Sequence, residues 1–445
     1  YRYKLDNSDL TSGATQTTST SYTPGSGISE GSHILYVQER DAAGNWSSSG
    51  SRTIVIDTTA PAITGTTVAS NNASIAVTFS EAVYNTSGGS GALEASDFTL
   101  TISGGTATLS SATPSSISSS SNTYTLGLSL SGTPNGSETI TVVPSSSTAI
   151  YDAAGNAAST SQSDNTVALN DKTAPTLSSV SIASNNSTST LAAVGDNVTL
   201  SFTASETIST PVVTFLSGGA AITDTSVTYV NTTGNTWTAV YTTESNDTTG
   251  SVTYSIAFSD SAGNAGTAVT SGSGSVTFDK TAPTVSSIST TADNQSSVSI
   301  TDNITVTFSE AMEPSYVTTS TSDTFCAGTI RVSSDNYSTC VKMSSEPVSS
   351  NSNRTFTLDP YDNLTAGTTY LTRVTTGVKD TAGNALSSQY ETSSGFTTGN
   401  NWQLIARQVD SDNFTDGTNE LFSSNARTTF LQNENDNSSS TFMSI

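Results

Sequence analysis

The acidic residues of this chain recur at fixed places. Asp-x-Ala-Gly-Asn occurs four times, at Asp41–Asn45, Asp152–Asn156, Asp260–Asn264 and Asp380–Asn384, in steps of 111, 108 and 120 residues. An Asp-[Thr/Lys]-Thr-Ala-Pro phrase trails the first three copies, at Asp57–Pro61, Asp171–Pro175 and Asp279–Pro283. A third acid closes an alternating apolar run: Glu81 after Phe79, Glu206 after Phe202 and Glu310 after Phe308. A carboxylate used once per module-length step suits a joint, because an enzyme needs its acid in one place.

Carboxylates gathered without Lys or Arg repel, unless one is protonated or a cation sits among them. Hard oxygen ligands at a neutral surface suit Ca²⁺, which takes about six to eight of them. Three sets are expected to meet: Asp57 with Glu81 and Asp152, Asp171 with Glu206 and Asp260, and Asp279 with Glu310 and Asp380. Asn156, Asn264 and Asn384 either add a ligand or brace the loop. Gly44, Gly155, Gly263 and Gly383 supply a sharp turn. The same phrase also fits an ordinary turn, with Asp capping its own loop.

The elements that must position these acids read as strands. Period-two alternation recurs in Ile75–Phe79, Val198–Phe202 and Ile304–Phe308, punctuated by Gly, Pro, Asn and Ser, and no long helical period appears. Each step reads as about seven short strands, the pattern of a two-sheet Greek-key β-sandwich. In such a sandwich the loop after the second strand, the loop before the last strand and the chain entry share one end, which is why the three acids should converge. The expected pieces are an incomplete module 1–57, modules 58–171, 172–279 and 280–398, and a tail 399–445 that lacks both phrases and reads as the start of a different domain. Linkers of about five residues imply restricted joints.

Composition narrows the function. Of 445 residues, 33% are hydrophobic and 11% charged. The weight lies in Ser, Thr, Gly and Asn, which thin sheets wet on their outer faces tolerate. With 37 acidic and 13 basic residues, the net charge is −24. Scarce Lys and Arg argue against nucleic acid and anionic membranes as partners. No apolar run approaches the ~20 residues of a membrane helix. His33 stands alone, which removes His-rich metal sites and argues against a Ser-His-Asp arrangement; it reads as an ordinary strand position. Cys326 and Cys340 lie 14 apart and would form one disulfide in a secreted chain. Trp46, Trp237 and Trp402 fall in different pieces, so no aromatic sugar platform is evident. Asp410–Gly417 is a poor match to an EF-hand loop, with Phe414 at a ligand position.

With these residues laid out, the chain resembles the bacterial Ig-like repeats of large secreted adhesins and biofilm proteins. The motifs that carry the likeness are Asp41–Trp46, Asp57–Pro61 and their later copies. The last module resembles the Ig-like domain also seen in surface-layer proteins, through Leu364–Tyr370, Gly377–Leu386 and Phe396–Thr398. The resemblance implies an all-β, extended array of tandem Ig-like Greek-key sandwiches on a bacterial cell surface, non-catalytic, with Ca²⁺ at module junctions. The last module closes without an Asp-x-Thr-Ala-Pro, so no equivalent junction with the tail is expected. Two functions follow. One is a stalk or adhesive rod meeting a surface target; the other is a subunit that pairs with copies of itself in a filament, sheath or surface layer.

Overall fold

The computed structural model describes residues 1–289, 291–322 and 325–399, together with the backbone of the strands Leu404–Arg407, Leu431–Gln432 and Phe442–Ser444. Almost every element is a β-strand, and the two short 3-10 turns Ala95–Asp97 and Pro314–Tyr316 are the helical pieces among the described residues. The chain divides into two compact units. One comprises Tyr1–Thr176 with Glu206–Ser209 and Phe258–Gly266; the other holds the remaining residues.

In the first unit, Arg2–Leu5, Thr15–Gln16, Gly31–Gln38 and Gly50–Ile56 form a single four-stranded sheet. Next come two sheets that face each other. Ile63–Val68, Ser74–Phe79, Thr123–Gly127 and Ile117–Ser120 make one, in that spatial order. Thr166–Ala168, Thr139–Pro144 and Phe98–Ser103 make the other. Read along the chain, this is the ABED/GFC arrangement of an Ig-like Greek key. Ile75, Val77 and Phe79 of the first sheet share a core with Phe98, Leu100, Ile140 and Val142 of the second.

The second unit repeats the plan. Leu177–Ser184, Asn197–Ala204, Thr236–Thr242 and Thr228–Thr233 form one sheet, and Gly250–Ala257 lies centrally in another. After Asp279, the strands Val285–Ser289, Ile304–Phe308, Thr355–Leu358 and Val348–Ser350 face a sheet built from Ile330–Ser333, Thr369–Val374 and Tyr390–Glu391. Ile304, Val306, Phe308, Ile330, Val332, Phe356, Val374 and Phe396 belong to their common core.

The alternation explains why these segments are strands. Ser74–Phe79, Asn197–Ala204 and Ile304–Phe308 bury every second side chain, which places the intervening Thr residues outward. Those threonines pair across strands: Thr78 with Thr123 at 3.0 Å, Thr203 with Thr236 at 3.4 Å and Thr307 with Thr355 at 3.2 Å between hydroxyl oxygens. Cross-strand hydroxyl pairs of this kind contribute modestly to sheet stability. They give the Thr-rich composition a structural use. The first strand after each Ala-Pro carries a register shift, at Ile63/Gly65, Ser178/Ser181 and Val285/Ser287. These bulges bend the strand at the domain entry, and the alternation does not announce them.

Cys326 and Cys340 form a disulfide with 4.9 Å between Cα atoms. No helix among the described residues is long and apolar enough to cross a membrane.

Candidate metal centres

All three expected sets come together. Asp57, Glu81 and Asp152 each place a carboxylate oxygen within 4.8 Å of the other two; so do Asp171, Glu206 and Asp260, and likewise Asp279, Glu310 and Asp380. In every set the linker Asp and the Glu are half-buried and the loop Asp is buried. Asp152, Asp260 and Asp380 retain 0%, 2% and 1% of their surface. A carboxylate buried so fully requires partners for its charge.

Its own loop supplies the first of them. Asn156, Asn264 and Asn384 donate their backbone N–H to Oδ1 of Asp152, Asp260 and Asp380, at 2.8, 2.7 and 2.8 Å. Their amide Nδ2 groups donate to Oδ2 of the same residues at 2.7, 2.7 and 2.9 Å. The glycine before each Asn sits at positive φ, 100°, 90° and 99°, which a side chain would oppose. Asp41–Asn45 makes the same turn, with Asn45 donating to Asp41 Oδ1 at 2.8 Å and Oδ2 at 3.2 Å, although Asp41 is exposed. The phrase therefore encodes a self-sufficient turn. What distinguishes the later three copies is the pair of acids brought against them.

The strand ends place those acids. Isolated bridges Tyr84↔Tyr151, Ile208↔Asp260 and Met312↔Asp380 tie the segment after each Glu to the strand entering the loop. The linker Asp residues cap their own turns: Asp57, Asp171 and Asp279 accept at Oδ1 from the N–H of Thr59, Thr173 and Thr281, at 3.1, 2.8 and 2.9 Å. Asn156 and Asn384 also donate Nδ2 to the carbonyls of Asp57 and Asp279, at 3.1 and 3.0 Å. The bracing role of these asparagines is present in the hydrogen bonds: their amide nitrogens hold the loop Asp and, at two centres, the linker backbone.

Electrostatics isolates the glutamates. Burial, then the charges of Asp152 and Asp57, raises Glu81 above the usual carboxylate range. Burial with Asp171 and Asp260 does the same to Glu206. Glu310 is pushed up to about 7 by burial, Asp380 and Asp279, with Arg354 pulling the other way. Arg354 corrects the expectation that no cation accompanies these acids: the third centre has one nearby. Burial also raises Asp380. Each centre thus offers three carboxylates, one of them a glutamate that burial and its acidic neighbours make costly to ionise, in a donor set of hard oxygens. This fits a divalent cation of the Ca²⁺ type.

Sequence reasoning missed Glu30. Its carboxylate accepts from the Thr58 N–H at 3.1 Å and from the hydroxyls of Thr58 and Thr59 at 2.5 and 2.6 Å, and its charge contributes to raising Glu81. It lies outside both repeat phrases, so no spacing marked it. His33 is more than a strand filler: its ring nitrogens lie 2.6 Å from Asp6 Oδ2 and 2.7 Å from the Ser29 carbonyl. Both partners offer acceptor oxygens, and the hydrogen bonds to Asp6 and Ser29 raise the pKa of the ring. Trp237 is buried in the sandwich core, and Trp46 lies under the Arg2 and Arg40 guanidinium groups, 4.3 and 5.6 Å from its ring centroid. Trp402 and the Asp410–Gly417 loop lie outside the described residues.

Residues 279–398, which contain the third centre, match the family model for the bacterial Ig-like domain. This segment is similar to a bacterial Ig-like domain. Among solved structures, the N-terminal part of the bacterial S-layer protein SbsC is similar at 21% identity over 29% of this chain and 26% of that chain, with TM-score 0.20. The chain thus spans about a quarter of that S-layer structure. A three-domain Ig segment of titin is similar at 9% identity over 76% of this chain and 98% of that one, TM-score 0.32. Tandem Ig repeats of Dlar align at 10% identity over 51% and 97%, TM-score 0.16. No curated protein matches the chain. Within the Ig-like domain, the acids of the third centre come from its entry, its second strand and the loop before its last strands.

Proposed function

We propose that this chain is a non-catalytic structural or adhesive segment of a bacterial cell-surface protein, secreted and built as successive Ig-like modules whose joints bind Ca²⁺. The observation that carries the reading is the recurrence of the same three-carboxylate set at Asp57, Asp171 and Asp279. A catalytic acid is not expected in three equivalent copies, whereas a joint is needed at each boundary. A divalent cation offsets the mutual repulsion of the three acids and ties the linker to the module that follows it, restricting their relative motion. Asp57, Asp171 and Asp279 with Glu81, Glu206, Glu310, Asp152, Asp260 and Asp380 are the proposed ligands; Asn156, Asn264 and Asn384 orient the loop acid. The bacterial Ig-like assignment of 279–398 supports the surface setting.

Small-angle scattering of the full chain in calcium and in EDTA tests the reading. A broader distance distribution in EDTA is the expected result. Identical distributions in the two buffers would remove the joint cations from the account.

A further inference from the structure

The third joint carries a side-chain contact between the preceding module and the loop of the next. Asn186 lies in the turn between strands Leu177–Ser184 and Leu191–Ala192 of the module preceding the joint. Its Nδ2 donates to Asp196 Oδ2 at 2.7 Å and to the carbonyl of Ala382 at 2.8 Å. Ala382 belongs to the Asp380–Asn384 loop of the next module, and both modules' residues here lie in one compact unit. Asn186 is itself held in place, its Oδ1 accepting from the Thr188 N–H at 3.1 Å and the Ser187 hydroxyl at 3.2 Å. The contact hides the loop: Ala382 keeps 2% of its surface, while the corresponding Ala43, Ala154 and Ala262 are exposed.

Three further hydrogen bonds fix the linker between the same modules. The Lys280 ammonium donates to the carbonyls of Ser245 and Asp247 at 2.9 and 2.7 Å, anchoring the linker backward. Asn384 Nδ2 donates to the Asp279 carbonyl at 3.0 Å, anchoring it forward. None of these three bonds involves the oxygens of Asp279 or Glu310 that would face an ion.

We propose that the joint at Asp279–Pro283 is a locked joint, closed by the Asn186–Ala382 strut together with Lys280 and Asn384, and that it stays closed without any cation. This goes beyond the proposed function and stands whether or not the carboxylates bind calcium. It makes the joints unequal: chelation would act on those at Asp57 and Asp171, and the pair of modules flanking Asp279 would keep its arrangement.

Hydrogen exchange of the full chain in EDTA, followed by mass spectrometry, tests the lock. The wild-type 380–386 peptide should exchange more slowly than the equivalent 152–158 and 260–266 peptides. Asn186→Ala should speed exchange at 380–386 by about fivefold, the value of one hydrogen bond. Asn186→Asp keeps the acceptor for Thr188, and with it the turn, but cannot donate to Ala382, so it should speed exchange at least as much. Exchange within Asn197–Ala204 reports that the preceding module remains folded; if Asn186→Ala disturbs it, Asn186→Asp decides. A wild-type 380–386 peptide as fast as the other two loops in EDTA would overturn the proposal. So would variants that leave its rate unchanged. Because every arm is run in EDTA, failure here leaves the calcium reading untouched, and failure of that reading leaves the strut intact.

Discussion

Replacing Glu310 by Gln should stabilise the chain in chelator and destabilise it in calcium. Glu310 faces Asp279, Asp380 and Arg354, and in the cation-free state its pKa is raised from 4.5 to about 7. An acid raised on folding supports the folded state at low pH, and that support is lost as pH climbs from 4.5 through about 7. Each pK unit corresponds to about 1.4 kcal/mol, so the unscreened penalty at pH 8 is about 3 kcal/mol. Glu310 is only half-buried, and solvent screening reduces this to about 1–2 kcal/mol. The glutamine variant never acquires the charge. In EDTA it should match wild type at pH 4.5 and exceed it by about 1–2 kcal/mol at pH 8. In calcium the order should reverse, because a ligand has been lost, by about 1.4 kcal/mol for a tenfold weaker site. Native-state hydrogen exchange of the Ile304–Phe308 and Thr355–Leu358 amides reads this module directly, comparing variant and wild type at the same pH; in EDTA at pH 8 the variant should be about 5- to 30-fold slower. A variant faster than wild type in EDTA at pH 8, or one whose effect ignores calcium, would refute the electrostatic argument.

Three more outcomes are expected. Asp279→Asn, which keeps an acceptor for Thr281, should lower thermal stability in calcium but raise it slightly in chelator by relieving Glu310 of one opposing charge, whereas Asp41→Asn, in the copy without the partner acids, should shift stability equally in both; calorimetry in both buffers checks this. Reducing Cys326–Cys340 should destabilise the 280–398 module by about 3 kcal/mol, the value for closing a loop of this length, seen as faster exchange in Ile330–Ser333. His33, with its pKa raised by Asp6 and Ser29, should support the Gly31–Gln38 sheet at low pH and lose that support as pH rises through its folded pKa; exchange in 31–38 should quicken with pH beyond the intrinsic rate, and His33→Gln should abolish the excess.

Much of this arrangement was legible in the residues, for a physical reason. Alternation in Ser74–Phe79 and Ile304–Phe308 marks a strand with one buried face, and a repeated acid at each strand's end fixes where that end must point. Once the Greek key is granted, Asp57, Glu81 and Asp152 have little freedom to miss one another. The turn at Asp41–Asn45 shows the limit of that reasoning: the phrase encodes its own loop, so the phrase alone does not specify a centre. Glu30, Arg354 and Asn186 left no sequence signal because each occurs once, outside both phrases, and reaches its partner through tertiary contact. The bulges opposite Phe79 and Phe308 were likewise invisible, since an extra residue in a Ser/Thr-rich strand barely disturbs the apolar pattern.

The most direct measurement of the account is native mass spectrometry of the full chain in calcium, beside a variant carrying Asp152→Asn, Asp260→Asn and Asp380→Asn. The account predicts three specifically bound Ca²⁺ ions per wild-type chain and none retained by the variant at the same concentration. A wild-type chain that binds no calcium above the variant would contradict it.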